Sequence, residues 1–349
     1  MGVSIRLGDT TIEPGQQRSL ELPLPRLYSH SRVSMPVYVV NGRRKGPVLF
    51  VSAAIHGDEI NGVEIIRRLL RKKYIRQIKG TLIAVPVVNV YGFVTQSRYL
   101  PDRRDLNRSF PGSERGSMAA RLAHTFMQQI VSQCTHGIDL HTGAVGRDNL
   151  PQIRAKVLGA PETEQMARAF GVPVILNAEL RDGSLREAVA EDKIPVLLYE
   201  AGEALRFNEV AIRAGVKGII SVMRHLGMLP QRRTKTSPAE PLIARSSQWV
   251  RAPQSGILRS IVPLGGQVAK DDVIGWVADP FGERERDVKA TVSGIIIGRT
   301  RLPLVHEGEA LFNIARFHEP DSAAESVEVF KEQHTPMPDQ IDSDEPPII

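Results

Sequence analysis

The rhythm of apolar and polar positions changes twice along the chain. Up to Gly42, short alternating pieces bounded by Gly and Pro (SIRLGDTTIEPG, RSLELPLPRLY, MPVYVVNG) predict strands of an antiparallel region. From there, buried strands alternate with amphipathic helices. GPVLFVSAAI is a continuous apolar run of β type, and NGVEIIRRLLRKKY carries Val63, Ile65, Ile66, Leu69 and Leu70 at helical spacing. GTLIAVPVVNV predicts a second buried strand, MAARLAHTFMQQIVSQ a second helix, and HGIDLHTG a strand ending in polar residues. ETEQMARAFG, PVIL, GSLREAVAEDK, IPVLLYEAG and NEVAIRAGVKGIISVMRHLG continue as helix, strand, helix, strand, helix. Such alternation predicts an α/β fold with its sheet covered on both faces.

The second change falls at the basic, Pro- and Ser-containing connector PQRRTKTSPAEPL. Beyond it come short strands and glycines without helical period. VRAPQSGIL from Val250 recurs as VKATVSGII from Val288, and two copies of one hairpin-rich unit predict a small two-fold β-sandwich or barrel. The expected organisation is an α/β unit over 1–233, an all-β domain over 240–318, and an acidic, Pro-rich tail over 319–349 that buries little and is expected to be mobile.

With 349 residues, 42% of them hydrophobic, the chain is ample for one large domain and a smaller one. It has no apolar stretch of about 18 residues and no signal-peptide layout at its start, and its single cysteine, Cys134, fits a reducing compartment. The expectation is a soluble, cytoplasmic protein with no membrane partner. The net charge of +6 comes from short groups such as RRLLRKK mixed with apolar positions and without interleaved aromatics. That reads as solvated helix faces, with no nucleic-acid partner, and it suits an anionic small substrate equally well.

Three polar groups sit at predicted strand ends, where α/β folds place their sites. They are His56 with Glu59 after LFVSAA, His141 after GIDL, and Glu200 after VLLY. Each alone reads as ordinary structure: Asp58 a helix N-cap with Glu59 in the first turn, His141 a satisfied strand-end histidine, Glu200 an edge carboxylate. Together they match a metal site. Two imidazoles and a carboxylate bind Zn²⁺ and leave a position open, and a further carboxylate can take the proton from water. RYLPDRRDLNRSFPG adds arginine and asparagine side chains suited to a substrate carboxylate, and a second arginine could stabilise an oxyanion.

The ordered set HGDE, DLNRSFPG, DLHTG and YEAGE resembles the succinylglutamate desuccinylase/aspartoacylase family, which belongs with zinc carboxypeptidases of the carboxypeptidase A type. The resemblance covers roughly residues 30–230 and implies a zinc hydrolase with α/β/α layers around a mixed sheet. By motif match it makes His56, Glu59 and His141 the ligands of one Zn²⁺ per chain, and Glu200 the general base. Asn107 and Arg108 would hold the substrate carboxylate, Asp105 would order their loop, and Arg154 is a further carboxylate-binding candidate. Arg98 would polarise the scissile carbonyl, with Arg104 as stand-in because the gap from SRYL to DLNR looks long. The implied partner is a small N-acyl amino acid-type substrate, with homo-oligomerisation open.

The C-terminal unit resembles the biotinyl/lipoyl barrel-sandwich hybrid. Its hairpin between the two copies, ADPFGERERD, has no lysine to modify, so shielding the site, restricting substrate size or mediating oligomerisation is expected in place of a carrier role. The leading expectation is a deacylase; a metallocarboxypeptidase uses the same chemistry, and a non-catalytic binding or scaffold protein is the alternative of another class.

Overall fold

The computed structural model describes residues 2–231, 241–318 and 320–335. The chain begins with β1 (Ile5–Leu7), β2 (Thr10–Ile12), β3 (Gln17–Leu24) and β4 (Val33–Asn41), the antiparallel region expected from its alternating pieces. There follow β5 (Arg44–Ala53), α1 (Asn61–Arg71), β6 (Lys79–Val85), α2 (Val90–Val94), α3 (Met118–Gln129) and β7 (His136–Gly143). β8 (Arg147–Ala155), α4 (Pro161–Phe170), β9 (Val174–Asn177), α5 (Leu185–Ala190), β10 (Val196–Glu203) and α6 (Glu209–His225) complete the N-terminal unit.

Its centre is a mixed sheet in the order β8-β10-β7-β5-β6-β4-β3. β10, β7, β5 and β6 run parallel, while β8, β4 and β3 pair antiparallel with their neighbours. Side chains alternate across such strands, so β5 sends Leu49 and Val51 to one face and Phe50 to the other. The first face packs against α1, α4 and α6 through Ile65, Leu69, Phe170 and Ile219; the second packs against α3 and α5 through Phe126 and Leu185. This is the layered α/β arrangement with a mixed sheet that was expected. Gly62 lets α1 lie close on the sheet, since a Cβ there would fall 2.6 Å from that of Ala53 and 2.8 Å from that of Leu140.

Two local expectations change. The strand expected from GTLIAVPVVNV stops at Val85, because Pro86 offers no N–H, and Asn89 instead caps α2 by accepting from Gly92 N. Residues 147–155 were given no element, yet as β8 they pair with β10 along one edge.

The C-terminal unit comprises β11 (Leu242–Ala244), β12 (Ser246–Arg251), β13 (Gly256–Ser260), β14 (Gln267–Val268), β15 (Val273–Ala278), β16 (Glu285–Lys289), β17 (Gly294–Thr300), β18 (Leu304–Val305) and β19 (Ala310–Arg316). The repeat is visible in the pairing: β13 lies beside β15 and β18, and β17 beside β19 and β14. Gly256 and Gly294 occupy equivalent close approaches, where a Cβ would fall 2.2 Å from Ala278 O and 2.0 Å from Ala315 O. The unit is not a detached domain. β8 gives the first half of its free edge to β17 and the second half to β9, so the central sheet continues through β17 and β19 to β12.

The tail also differs from its expectation. Residues Pro320–His334 form α7, whose Ala323, Val327 and Phe330 recur at helical spacing and are buried against the body of the protein. Residues 336–349 of the expected tail, and 232–240 of the connector, lie outside the described residues. Among the described residues no helix is long and apolar enough to cross a membrane.

Candidate active site

β5 ends at Ala53, and Ala54 turns the chain in the left-handed region at φ 52°. That turn delivers His56 and, one tight turn later, Glu59, whose N–H donates to His56 O at 3.1 Å. Asp58 is not the helix cap. α1 starts later, at Asn61 after Ile60, because the added turn is spent bringing His56 and Glu59 side by side. Gly57 makes this possible: a Cβ there would sit 2.0 Å from Gly92 C, inside the backbone of α2.

His141 arrives from β7, parallel and adjacent to β5. The Glu59 carboxylate lies between the two rings, with Oε1 2.7 Å from His56 Nδ1 and Oε2 2.8 Å from His141 Nδ1. Thr142 N also donates to Oε2 at 3.1 Å. One ligand atom from each of the three residues lies within 4.8 Å of the others, and all three residues are buried. The far nitrogens are held as well: His56 Nε2 lies 3.1 Å from Asp105 Oδ1 and His141 Nε2 2.7 Å from Asp139 Oδ2, with Ser52 Oγ donating to Asp139 Oδ1 at 2.8 Å. Carboxylates behind histidines fix tautomer and ring orientation in metal sites. The donor set, two imidazoles and one carboxylate, suits a zinc ion with a position to spare.

The electrostatics reflect this packing. Burial acts to raise Glu59, but the facing imidazoles hold it well below the usual carboxylate range. Burial acts to lower both histidines, yet His56 is raised by Glu59 and Asp105, and His141 is raised well above its ordinary value by Asp139 and Glu59. Asp105, though desolvated, is held low by His56, Arg98 and the amide of Asn107.

A cavity of about 620 Å³ opens over this cluster. Glu200, on β10 at the level of His141 in the parallel register, lines it and accepts from Asn149 Nδ2 at 2.9 Å, with Arg154 Nε 3.2 Å away. Arg98 also lines it, donating from Nη1 to Glu59 at 3.2 Å and from Nη2 to Asp105 at 3.1 Å. Asn107 and Arg108 line it together, the Asn107 side chain accepting from Leu185 N at 3.0 Å. Two candidates fall elsewhere. Asp105 is outside the lining: it caps the Asn107 turn, accepting from Asn107 N at 2.8 Å, and holds His56. Arg104 is exposed and does not reach the cavity.

Sequence reasoning missed Asp139, Asn149 and Arg186. Asp139 had a signal, since D-x-H on a strand puts both side chains on one face. Asn149 had none, because β8 went unrecognised. Arg186, buried beside the cavity, is held below its ordinary range by burial, with Arg154 and Arg181 adding to it and Glu200 opposing. The far wall comes from the C-terminal unit: Arg245, Ser246, Ser247 and Trp249.

Comparison with known proteins places this geometry. The model of the succinylglutamate desuccinylase/aspartoacylase catalytic domain matches residues 45–226, just over half of the chain. The N-alpha-acetyl-L-2,4-diaminobutyric acid deacetylase of Halomonas elongata is 28% identical over 314 residues, covering 86% of this chain and 91% of the relative. Among solved structures, a succinylglutamate desuccinylase/aspartoacylase from Rhodobacter sphaeroides superposes with TM-score 0.77 at 25% identity, covering 86% of this chain and 96% of the other. The product-bound ectoine utilization protein EutE (DoeB) of Ruegeria pomeroyi gives the same score and identity, with coverages of 86% and 95%.

Proposed function

The chain belongs to the succinylglutamate desuccinylase/aspartoacylase family, and from that premise we propose that it is a zinc-dependent amide hydrolase that removes an acyl group from an N-acyl amino acid or a related small molecule. The observation that carries this reading is the buried His56–Glu59–His141 cluster, backed by Asp105 and Asp139, with Glu200 facing the same cavity. The relatives' names point to the same class of reaction: the Halomonas elongata protein is named for removing an acetyl group.

His56, Glu59 and His141 would hold the ion, which when bound supplies Lewis-acid activation of water and of the scissile carbonyl. Glu200, fixed by Asn149 and Arg154, takes the proton from the attacking water and returns it to the departing amine. Arg98 offers guanidinium donors toward the developing oxyanion. Asn107 and Arg108 bind the carboxylate of the amino-acid part, and the Arg154 guanidinium holds the Glu200 carboxylate in place. Products are a carboxylic acid and an amino acid or amine. The wall of Arg245, Ser246, Ser247 and Trp249 favours a small substrate over a peptide chain, which supports deacylase over carboxypeptidase. A reducing, cytoplasmic location fits the lone Cys134, buried and unpaired.

The test is Glu200→Gln beside wild type, assayed on N-acetyl, N-succinyl and N-formyl amino acids and short peptides. The expectation is equal zinc content and a loss of about 10²–10⁴ in kcat. Wild type without stoichiometric metal, or a variant as active as wild type, overturns the proposal.

A further inference from the structure

The proton-taking group of the proposed reaction is anchored by one of its two oxygens. Asn149 Nδ2 at 2.9 Å and Arg154 Nε at 3.2 Å both address Glu200 Oε2, which leaves Oε1 for the proton. Strand geometry explains how an odd and an even position of β8 reach the same carboxylate. β8 pairs with β10 through Arg154 opposite Leu198 and Gln152 opposite Glu200, and then through Asn149 opposite Gly202, so β8 holds one residue more than β10 over that interval. The bulge falls at Leu150 and Pro151, and Pro151 has no N–H to place in a ladder. It returns Asn149 to the face already taken by Gln152 and Arg154.

Gln152 is thus the residue directly across the ladder from the base, and it is 0% exposed. Its Nε2 donates at 3.2 Å to Ile297 O, in β17 of the C-terminal unit. Ile297 lies at a break in the pairing of β17 with β19, between Ile296 opposite Ile314 and Gly298 opposite Asn313. A carbonyl acceptor fixes the orientation of the amide, so the NH₂ meets Ile297 O and Oε1 is turned away from it. Gln152 Oε1 is buried and has no hydrogen-bond partner among the described residues. The same holds for Arg154 Nε, which meets Glu200 without the alignment of a hydrogen bond.

One of these orphaned atoms accepts and the other donates, and they belong to positions two apart on one face of β8. Such positions stand about 6.6 Å apart along a strand, and a single water spans about 5.6 Å between two polar atoms. Buried waters make about three hydrogen bonds to groups otherwise unsatisfied. A water here would accept from Arg154 Nε and have two hydrogens to give, one to Gln152 Oε1 and one to Glu200 Oε2.

We infer that Gln152 is a positioning residue for the base: with Arg154 it holds a buried water that donates to Glu200 Oε2, so that this oxygen is gripped from the seam between the two units and Oε1 alone takes up and returns the proton. The effect on turnover rests on the deacylase reading; the water site does not.

Two measurements on the full-length, metal-loaded protein test it. A high-resolution crystal structure is expected to show an ordered water within about 2.7–3.2 Å of Gln152 Oε1, Arg154 Nε and Glu200 Oε2. No density there, or a protein donor on Gln152 Oε1, overturns the inference whatever the assays show. In kinetics, Gln152→Met keeps the length of the side chain without its amide and is expected to lower kcat about tenfold at unchanged KM and zinc content. In the Glu200→Gln background the same substitution is expected to change kcat by less than about twofold, because a residue that acts only through the base has nothing left to act on. An equal loss in both backgrounds marks a purely structural role and overturns the positioning, as does a normal kcat in Gln152→Met alone. The water in place in a wild type that hydrolyses no amide defeats the deacylase reading and leaves the water site standing.

Discussion

Asn149 Nδ2 donates to Glu200 Oε2 across 2.9 Å from a strand that pairs on its other edge with β17 of the C-terminal unit. At the register position opposite Asn149 stands Gly298, where a Cβ would fall 2.7 Å from Asn149 Oδ1. The general-base candidate is thus set in place by the seam between the two units.

Asn149→Ala should therefore slow turnover. A hydrogen bond to a charged group contributes about 1.5–3 kcal/mol, so kcat is expected to fall by about tenfold or more at unchanged zinc content. Gly298→Ala, which crowds the same amide, should move kcat in the same direction. Steady-state kinetics with metal analysis decide this; normal kcat in both variants removes the positioning role.

Asp105→Ala and Asp139→Ala each free the far nitrogen of one histidine. Zinc affinity should drop by about 10–100-fold in each, measured by competition with a chromogenic chelator. Affinity equal to wild type would show that the carboxylates do not orient the rings.

Gly57→Ala places a methyl against the backbone of Gly92 and Phe93. The substitution should destabilise the fold by about 1–3 kcal/mol and weaken zinc binding, because His56 and Glu59 flank the displaced residue. Thermal unfolding with and without added zinc reads both effects, and a variant matching wild type in each contradicts the close packing.

Away from the site, Glu64 and Glu209 grip Arg68, with contacts of 2.7 Å to each and the Arg68 side chain only 3% exposed. Both carboxyls are desolvated, yet their arginine partners hold them below the ordinary value. A carboxyl lowered in the folded state stabilises the fold above its unfolded-state value, and that stability is lost as pH falls through the folded value. Glu209→Gln should lower stability at pH 7 and flatten the decline on the acid side of about pH 4.5. Denaturant midpoints across pH 3–7 test the sign; an unchanged slope would remove this pair from the acid response.

The sequence by itself determined the layered α/β core and the membership of the His56–Glu59–His141 cluster, because both rest on local patterns. Apolar runs marked β5 and β10, HGIDLHTG marked β7 as a strand ending in polar residues, and each carried its polar residue at the strand end, so His56, Glu59, His141 and Glu200 could be named before their convergence was seen. The two-fold repeat in the C-terminal unit was legible for the same reason. β8 was not, since RDNLPQIRA has neither a clean alternation nor a long apolar run; its strand character comes from neighbours on both edges, and Asn149 was lost with it. The helix at Pro320–His334 was hidden by its acidic composition, because a stripe of three apolar residues forms a helix only when a surface is there to cover it. Only the tertiary structure decided how the two units join, where Asp105 acts, and that Arg147 lies over Trp249: such contacts bring together residues distant in sequence, which no local period encodes.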